Sequence, residues 1–169
     1  DQNEFNMHNL KNNLGDDDRV EYIIGNVREY QSLRGALKGV DIVFHTAALK
    51  HVPYCESNPI EAVKTNVIGT YNLIEIAKEE NVDKLILIST DKAIYPISVM
   101  SATKLLGEKL ILNARSFNSK TKLSCVRFGN VLKSDGSVIP LFLEQIKKGH
   151  ITITDEKMSR FFMSLNEAA

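Results

Sequence analysis

The chain has 169 residues, 43% of them hydrophobic and 25% charged, with 21 basic side chains balanced by 21 acidic ones. That size and balance describe one folded domain with a sizeable core, and they exclude a disordered polyelectrolyte. A formal net charge of zero leaves no electrostatic footprint for nucleic acid or an anionic membrane surface.

No apolar run approaches the ~20 residues that span a bilayer, and the polar start is unlike a signal peptide. The expectation is a cytoplasmic chain without a membrane segment of its own, an anchor on a longer parent chain being left open. Cys55 and Cys125 lack metal-ligand spacing and redox-pair patterning, so both read as free thiols.

In chain order, residues 20–24 (VEYII) form the first candidate strand, ending at Gly25 with helical stretches on either side. Apolar runs follow at 41–46 (DIVFHT), 84–89 (KLILIS) and 123–128 (LSCVRF). Each has the length and β-branched content of a strand buried on both faces of a parallel sheet.

Between the strands at 41 and 84, Ile60, Val63, Val67, Ile68, Tyr71, Ile74 and Ala77 draw one apolar stripe along a helix over 59–79. Asn58 is its N-cap and Pro59 its first helical residue. A second long helix is expected over 98–117, with Val99, Ala102, Leu105, Leu106 and Leu110 facing inward. Beyond Phe128 come a glycine-bearing loop, a helix over 138–148 and a short alternating strand over 151–154. Strands alternating with such helices make an α/β fold, a Rossmann-like doubly wound parallel sheet.

Ligands of such sheets bind beyond the carboxyl ends of the strands. The segments there are 25–28, Ala47-Ala48-Leu49-Lys50-His51, Thr90-Asp91-Lys92 and 129–131. The triplet at 90–92 is the sharpest, because a hydroxyl, a carboxyl group and an amine occur together where water is partly excluded. The same triplet also suits an ordinary turn, since such side chains bond to nearby backbone. Met100 and Lys104 fall four apart, on one helix face. His51 could act as an acid or base near neutral pH, although a loop histidine also serves at a surface, and His45 reads as a core residue.

The ordered motifs DIVFHTAALKHVP, NPIEAVKTNVIGTYN, LILISTDKAIYP, VMSATK, VRFGNVLKSDGSVIPLF and MSRFFM resemble the polysaccharide-biosynthesis branch of the extended short-chain dehydrogenases/reductases, the UDP-N-acetylglucosamine 4,6-dehydratases and their relatives. The resemblance runs the length of the chain. It implies NAD or NADP as cofactor and a UDP-sugar as substrate. Asn26 and Val27 would approach adenine, Ala47, Ala48 and Leu49 would line the cofactor, Asn66 would support the site, and Lys104 would hold the nicotinamide ribose. Thr90 would bind the sugar's 4-hydroxyl, Asp91 would protonate the departing 6-hydroxyl, and Lys92 would take the C5 proton. Lys50, Asn130, Ser137, the loop between Asn130 and Val138, and Arg160 would hold the substrate.

Two departures stand out. The family's usual catalytic tyrosine, four residues before the lysine, is Met100 here, and a thioether is no useful proton acceptor. The family's opening strand and G-x-x-G-x-x-G-type phosphate loop have no counterpart, since Gly25, Gly69 and Gly129 are too scattered. The chain is therefore expected to be a partial NAD(P)-binding domain, incomplete at both ends, with the substrate-binding region starting at about 129. The implied activity is conversion of a UDP-N-acetylhexosamine to a 4-keto-6-deoxy sugar, with or without C5 inversion. The competing readings are a catalytically inactive remnant or interaction module, and a nucleotide-sugar epimerase or reductase of the same superfamily. Relatives of this kind often pair, which makes the helices over 59–79 and 98–117 the expected homo-oligomer surface.

Overall fold

The computed structural model describes residues 1–115, 120–132 and 137–169. Its centre is a parallel three-stranded sheet, β1 (Ile42–His45), β2 (Lys84–Thr90) and β3 (Lys122–Phe128), in the order β1-β2-β3. The register pairs Val43 with Leu85 and Leu87 with Cys125, so the three expected apolar runs lie side by side.

The helices α1 (Glu4–Leu14) and α2 (Tyr30–Leu37) precede β1. Between β1 and β2 the chain passes through α3 (Val52–Ser57), α4 (Pro59–Ala62), a π-helical segment (Val63–Ile68) and α5 (Gly69–Glu79). After β2 come a 3₁₀ turn (Asp91–Ala93) and α6 (Val99–Ala114). A second, two-stranded parallel sheet joins β4 (Asn130–Val131) to β5 (Phe162–Met163), with α7 (Val138–Lys147) between them and α8 (Leu165–Ala168) after them.

Leu33 and Leu37 of α2, Leu73, Ile76 and Ala77 of α5, and Ile111 and Ala114 of α6 close over Leu85, Leu87 and Leu123. Each fully buried aliphatic side chain there contributes about 1.5–3 kcal/mol. All three helices thus cover one face of the sheet, while Ile42, Phe44 and Val126 on the strands are exposed.

Residues 20–24 do not form the expected strand. Their backbone is engaged elsewhere: the Gly25 N–H donates to the Asp1 carbonyl at 3.1 Å, the N-terminal ammonium to the Ile23 carbonyl at 3.2 Å, and the Val20 N–H to Asp17 at 2.9 Å. Residues 151–154 are not a strand either. The Gln145 side-chain oxygen accepts the Thr152 N–H at 3.0 Å and its amide nitrogen donates to the Thr152 hydroxyl at 3.2 Å, folding this stretch back onto the end of α7. The partner of β4 is instead the 162–163 pair.

The inward faces of the two long helices also differ from expectation. Helix α6 buries Met100, Thr103, Lys104, Gly107, Glu108 and Ile111, and Leu106 is 50% exposed on its far side. Its N-terminus is where Ser98 predicts, with a capping box in which Ser101 answers Ser98. The end expected at Phe117 lies outside the described residues.

The helix over 59–79 is broken by the π segment, which rotates the turns beyond it. The helix buries Ala62, Thr65, Asn66, Gly69, Thr70 and Leu73; of the expected stripe, Ile74 and Ala77 are buried while Ile60, Ile68 and Tyr71 are exposed. A single π turn inside a helix commonly marks a functional position, and here it turns Asn66 toward the strand ends.

Candidate active site

The residues beyond β2 form one hydrogen-bonded unit. The Thr90 hydroxyl donates to Asp91 Oδ1 at 3.0 Å and accepts the Lys92 backbone N–H at 3.4 Å, which caps the 3₁₀ turn. Lys92 Nζ donates to the same Asp91 oxygen at 3.1 Å and to Asn130 Oδ1 at 2.8 Å. Partial burial pushes the Asp91 carboxyl upward, but the hydrogen bonds from Lys92 and Thr90 outweigh it and hold the group below the ordinary carboxylate range. Asp91 therefore rests as a carboxylate.

Lys104 is 8% exposed, and its ammonium donates to the Ile88 carbonyl at the floor of the site. Burial draws its pKa down to about 8, opposed by the negative charge of Glu108. The Glu108 carboxylate, 3% exposed, accepts both prongs of the Arg127 guanidinium at 3.0 and 2.7 Å. Met100 sits one helical turn before Lys104, is buried on the same helix face, and lines the same cleft.

Asn66 clamps the segment beyond β1. Its side-chain oxygen accepts the Leu49 N–H at 2.8 Å, and its amide nitrogen donates to the Leu49 carbonyl and to Thr103, each at 3.0 Å. Beneath it, His45 Nε2 lies 3.0 Å from the Thr70 hydroxyl, which itself donates to the Asn66 carbonyl at 2.7 Å. Thr70 has spent its only proton, so His45 must carry the hydrogen on Nε2. Burial pushes the His45 pKa down to about 3 and keeps the ring neutral. His45 is thus the core residue expected, and the two cysteines are free thiols.

These elements frame a cleft of about 450 Å³. Ala48, Leu49, Lys50, Thr90, Lys92, Lys104, Asn130 and Ser137, all singled out in the sequence, line it together with His51. Asp91 meets it through Thr90 and Lys92. A second groove of about 480 Å³ runs along Asn26, Val27, Ala47, Ala48 and Leu49, and the two share Thr46, Ala48 and Leu49. Small side chains on a clamped backbone, with a cavity on either side, fit a long two-part ligand. The Ser137 hydroxyl is buried in the first cleft without a hydrogen-bond partner among the described residues, a polar group suited to one.

Arg160 is not brought to the cleft. It is exposed, and its guanidinium donates to the adjacent Ser159 carbonyl at 2.7 Å. Residues 133–136 of the loop between Asn130 and Val138 lie outside the described residues. Glu108, Arg127 and Thr70 were not singled out by sequence reasoning. The one available cue was the four-residue step from Lys104 to Glu108 on a helix face.

Residues 1–169 match the sequence family described as polysaccharide biosynthesis protein. The chain belongs to that family. Among curated relatives, it is 55% identical over 171 residues to an uncharacterized membrane protein of Methanocaldococcus jannaschii, covering 99% of the chain and 51% of the relative. It is 52% identical over 150 residues to a UDP-glucose 4-epimerase of Rickettsia typhi, covering 87% of the chain and 44% of that enzyme. The crystal structure of Pen from Bacillus thuringiensis superposes with a TM-score of 0.95 at 46% identity, covering 99% of this chain and 53% of Pen. The chain thus spans about half the length of the curated relatives it matches. No helix among its described residues is long and apolar enough to cross a membrane.

Proposed function

We propose that the protein is an NAD(P)-dependent nucleotide-sugar 4,6-dehydratase acting on a UDP-N-acetylhexosamine, serving surface polysaccharide or glycan biosynthesis. The observation that carries this reading is the Thr90, Asp91 and Lys92 network, an acid-base pair and a hydroxyl at the mouth of one cleft.

The grooves on either side of Ala47, Ala48 and Leu49 suit the two halves of the dinucleotide, with Asn26 and Val27 toward the adenine and Lys104 at the nicotinamide ribose. When bound, the nicotinamide supplies the hydride acceptor and donor. The protein's task is to move protons. Oxidation at C4 releases the 4-hydroxyl proton, which Met100 cannot take. The Thr90 hydroxyl already donates to the ionised Asp91, so it can accept from the sugar and pass its own proton on. Asp91 becomes the acid that protonates the departing 6-hydroxyl. Lys92 takes the C5 proton, which the new 4-keto group has acidified. The proton lost at O4 leaves with the C6 oxygen, and no outside acid is required.

Substrate contacts from Lys50, Asn130, Ser137 and the region from about 129 onward complete the reading. Ile60, Ile68 and Tyr71 along 59–79 and Leu106 and Leu112 on α6, all exposed, support a homo-oligomer packed through those two helical stretches. A second reading, a nucleotide-sugar 4-epimerase, draws on the name of the Rickettsia relatives. It leaves Lys92 without a proton to move, because inversion at C4 needs no proton transfer at C5.

The Asp91→Asn variant tests the proton route. An amide cannot accept the 4-hydroxyl proton, so C4 oxidation is expected to fall by about 10²–10⁴-fold, the usual contribution of a positioned acid-base group. Full C4 oxidation by this variant would overturn the assignment.

A further inference from the structure

The contact between Lys92 and Asn130 crosses from one sheet to the other, over 38 residues of sequence. An ammonium has three donors and no acceptor, so the Asn130 amide must present its oxygen to Lys92. The backbone that carries this side chain is paired: the Asn130 main-chain N–H donates to the Phe161 carbonyl at 2.7 Å, and that of Leu132 to the Met163 carbonyl at 2.9 Å. Gly129 makes this approach possible, since a Cβ there would lie 2.8 Å from the Phe161 carbonyl oxygen.

Two of the three N–H groups of Lys92 are therefore committed, one to Asp91 and one to Asn130. When the third proton leaves, the neutral amine keeps both bonds, and its lone pair takes the vacated direction. Lys92 and Asn130 both line the cleft, the place of the substrate in the dehydratase reading. We propose that Asn130 is a positioning residue that aims the lone pair of Lys92 at the substrate's C5 proton. This rests on the dehydratase reading and adds a residue to it. In the step itself the C5–H bond breaks toward Nζ, and its electron pair moves into the C5–C6 bond. The C6–O bond breaks, and the hydroxyl departs with the proton held by Asp91. The charged and titratable groups around Lys92 are Asp91 in its own turn and Lys50, His51 and Lys104, which line the same cleft from beyond β1 and from α6.

The first test reads the Lys92 ammonium by proton–nitrogen NMR of the protein, assigned by its loss in Lys92→Gln. A tethered ammonium exchanges slowly with water. The signal is expected to vanish in Asn130→Ala and to persist in Asn130→Asp; a signal unchanged in Asn130→Ala overturns the tether. The second test measures solvent deuterium entering C5 alongside oxidation at C4. A misaimed base costs about 10²-fold, so in Asn130→Ala C5 exchange should fall by that much more than C4 oxidation, the loss of a substrate contact being common to both steps. Equal loss of both steps in Asn130→Ala would mark a merely structural residue. Absence of C5 exchange in the unaltered protein would instead sink the dehydratase reading and, with it, the catalytic part of this proposal, whatever the NMR shows of the tether.

Discussion

Glu108 lies one turn of α6 beyond Lys104, on the same buried face, and is gripped by both prongs of Arg127 from β3. A buried lysine is thereby given a fixed counter-charge. Lys104 has a pKa of about 8 in the fold against 10.5 when unfolded, so between those values the unfolded chain binds more protons and stability rises with pH. Glu108→Gln removes the charge that opposes the drop, and the rise should begin below pH 8. Thermal unfolding against pH measures this, in a Cys125→Ser background because the Cys125 thiol is pushed up by burial and also by the charge of Glu108. An unchanged onset would show that Glu108 does not govern Lys104.

His45 gives the opposite limb. Its folded pKa of about 3 lies below the ordinary value of 6.5, so the fold must exclude a proton that the unfolded chain accepts as pH drops through 6.5. Stability should fall by about 1.4 kcal/mol per pH unit below that point from this residue alone. In His45→Gln this part of the acid slope should disappear, as read from urea midpoints between pH 6.5 and the carboxylate range.

Gly69 lets the loop at Val27 rest on the start of α5, where a Cβ would lie 2.7 Å from Val27 Cγ2. Gly69→Ala gains about 1 kcal/mol of helix propensity but incurs about 1–3 kcal/mol of overpacking. Net destabilisation of about 1 kcal/mol is expected in chemical unfolding, with weaker dinucleotide binding because Asn26 and Val27 are displaced. A stabilised variant with unchanged binding would contradict the close packing.

The outward stripes of α5 and α6 predict association. Leu106 is 50% exposed and Tyr71 48%, large apolar groups at the centre of faces that otherwise meet water. Leu106→Asp should lower the assembly state seen by sedimentation without lowering the unfolding temperature much. If the unaltered protein sediments as a monomer, these faces have another role.

The three central strands were legible because their runs are short, apolar and β-branched, and the helix starts were legible from Asn58-Pro59 and Ser98. The inward helix faces were legible only toward the end of α5, where Ile74 and Ala77 are buried as expected. Hydrophobic periodicity selects the greasiest stripe, and here Thr65, Asn66, Thr70, Thr103, Lys104 and Glu108 turn inward while Ile68, Tyr71 and Leu106 turn out. The π segment, invisible to a regular period, adds to the shift. Residues 20–24 have strand composition but satisfy their backbone with Asp1 and Asp17, pairings no local pattern encodes. For the site, the strand-end rule led to Thr90, Asp91, Lys92 and the segment at 47–50. The contacts of Asn130 with Lys92 and of Arg127 with Glu108 depend on how separate strands come together, and only the fold reveals them.

The most direct test of the account is proton NMR of the protein incubated in D₂O with UDP-N-acetylglucosamine and NAD or NADP. A 4-keto-6-deoxy product carrying deuterium at C5 is the predicted result. A sugar inverted at C4, with its 6-hydroxyl intact and its C5 proton retained, would contradict it and make the protein an epimerase.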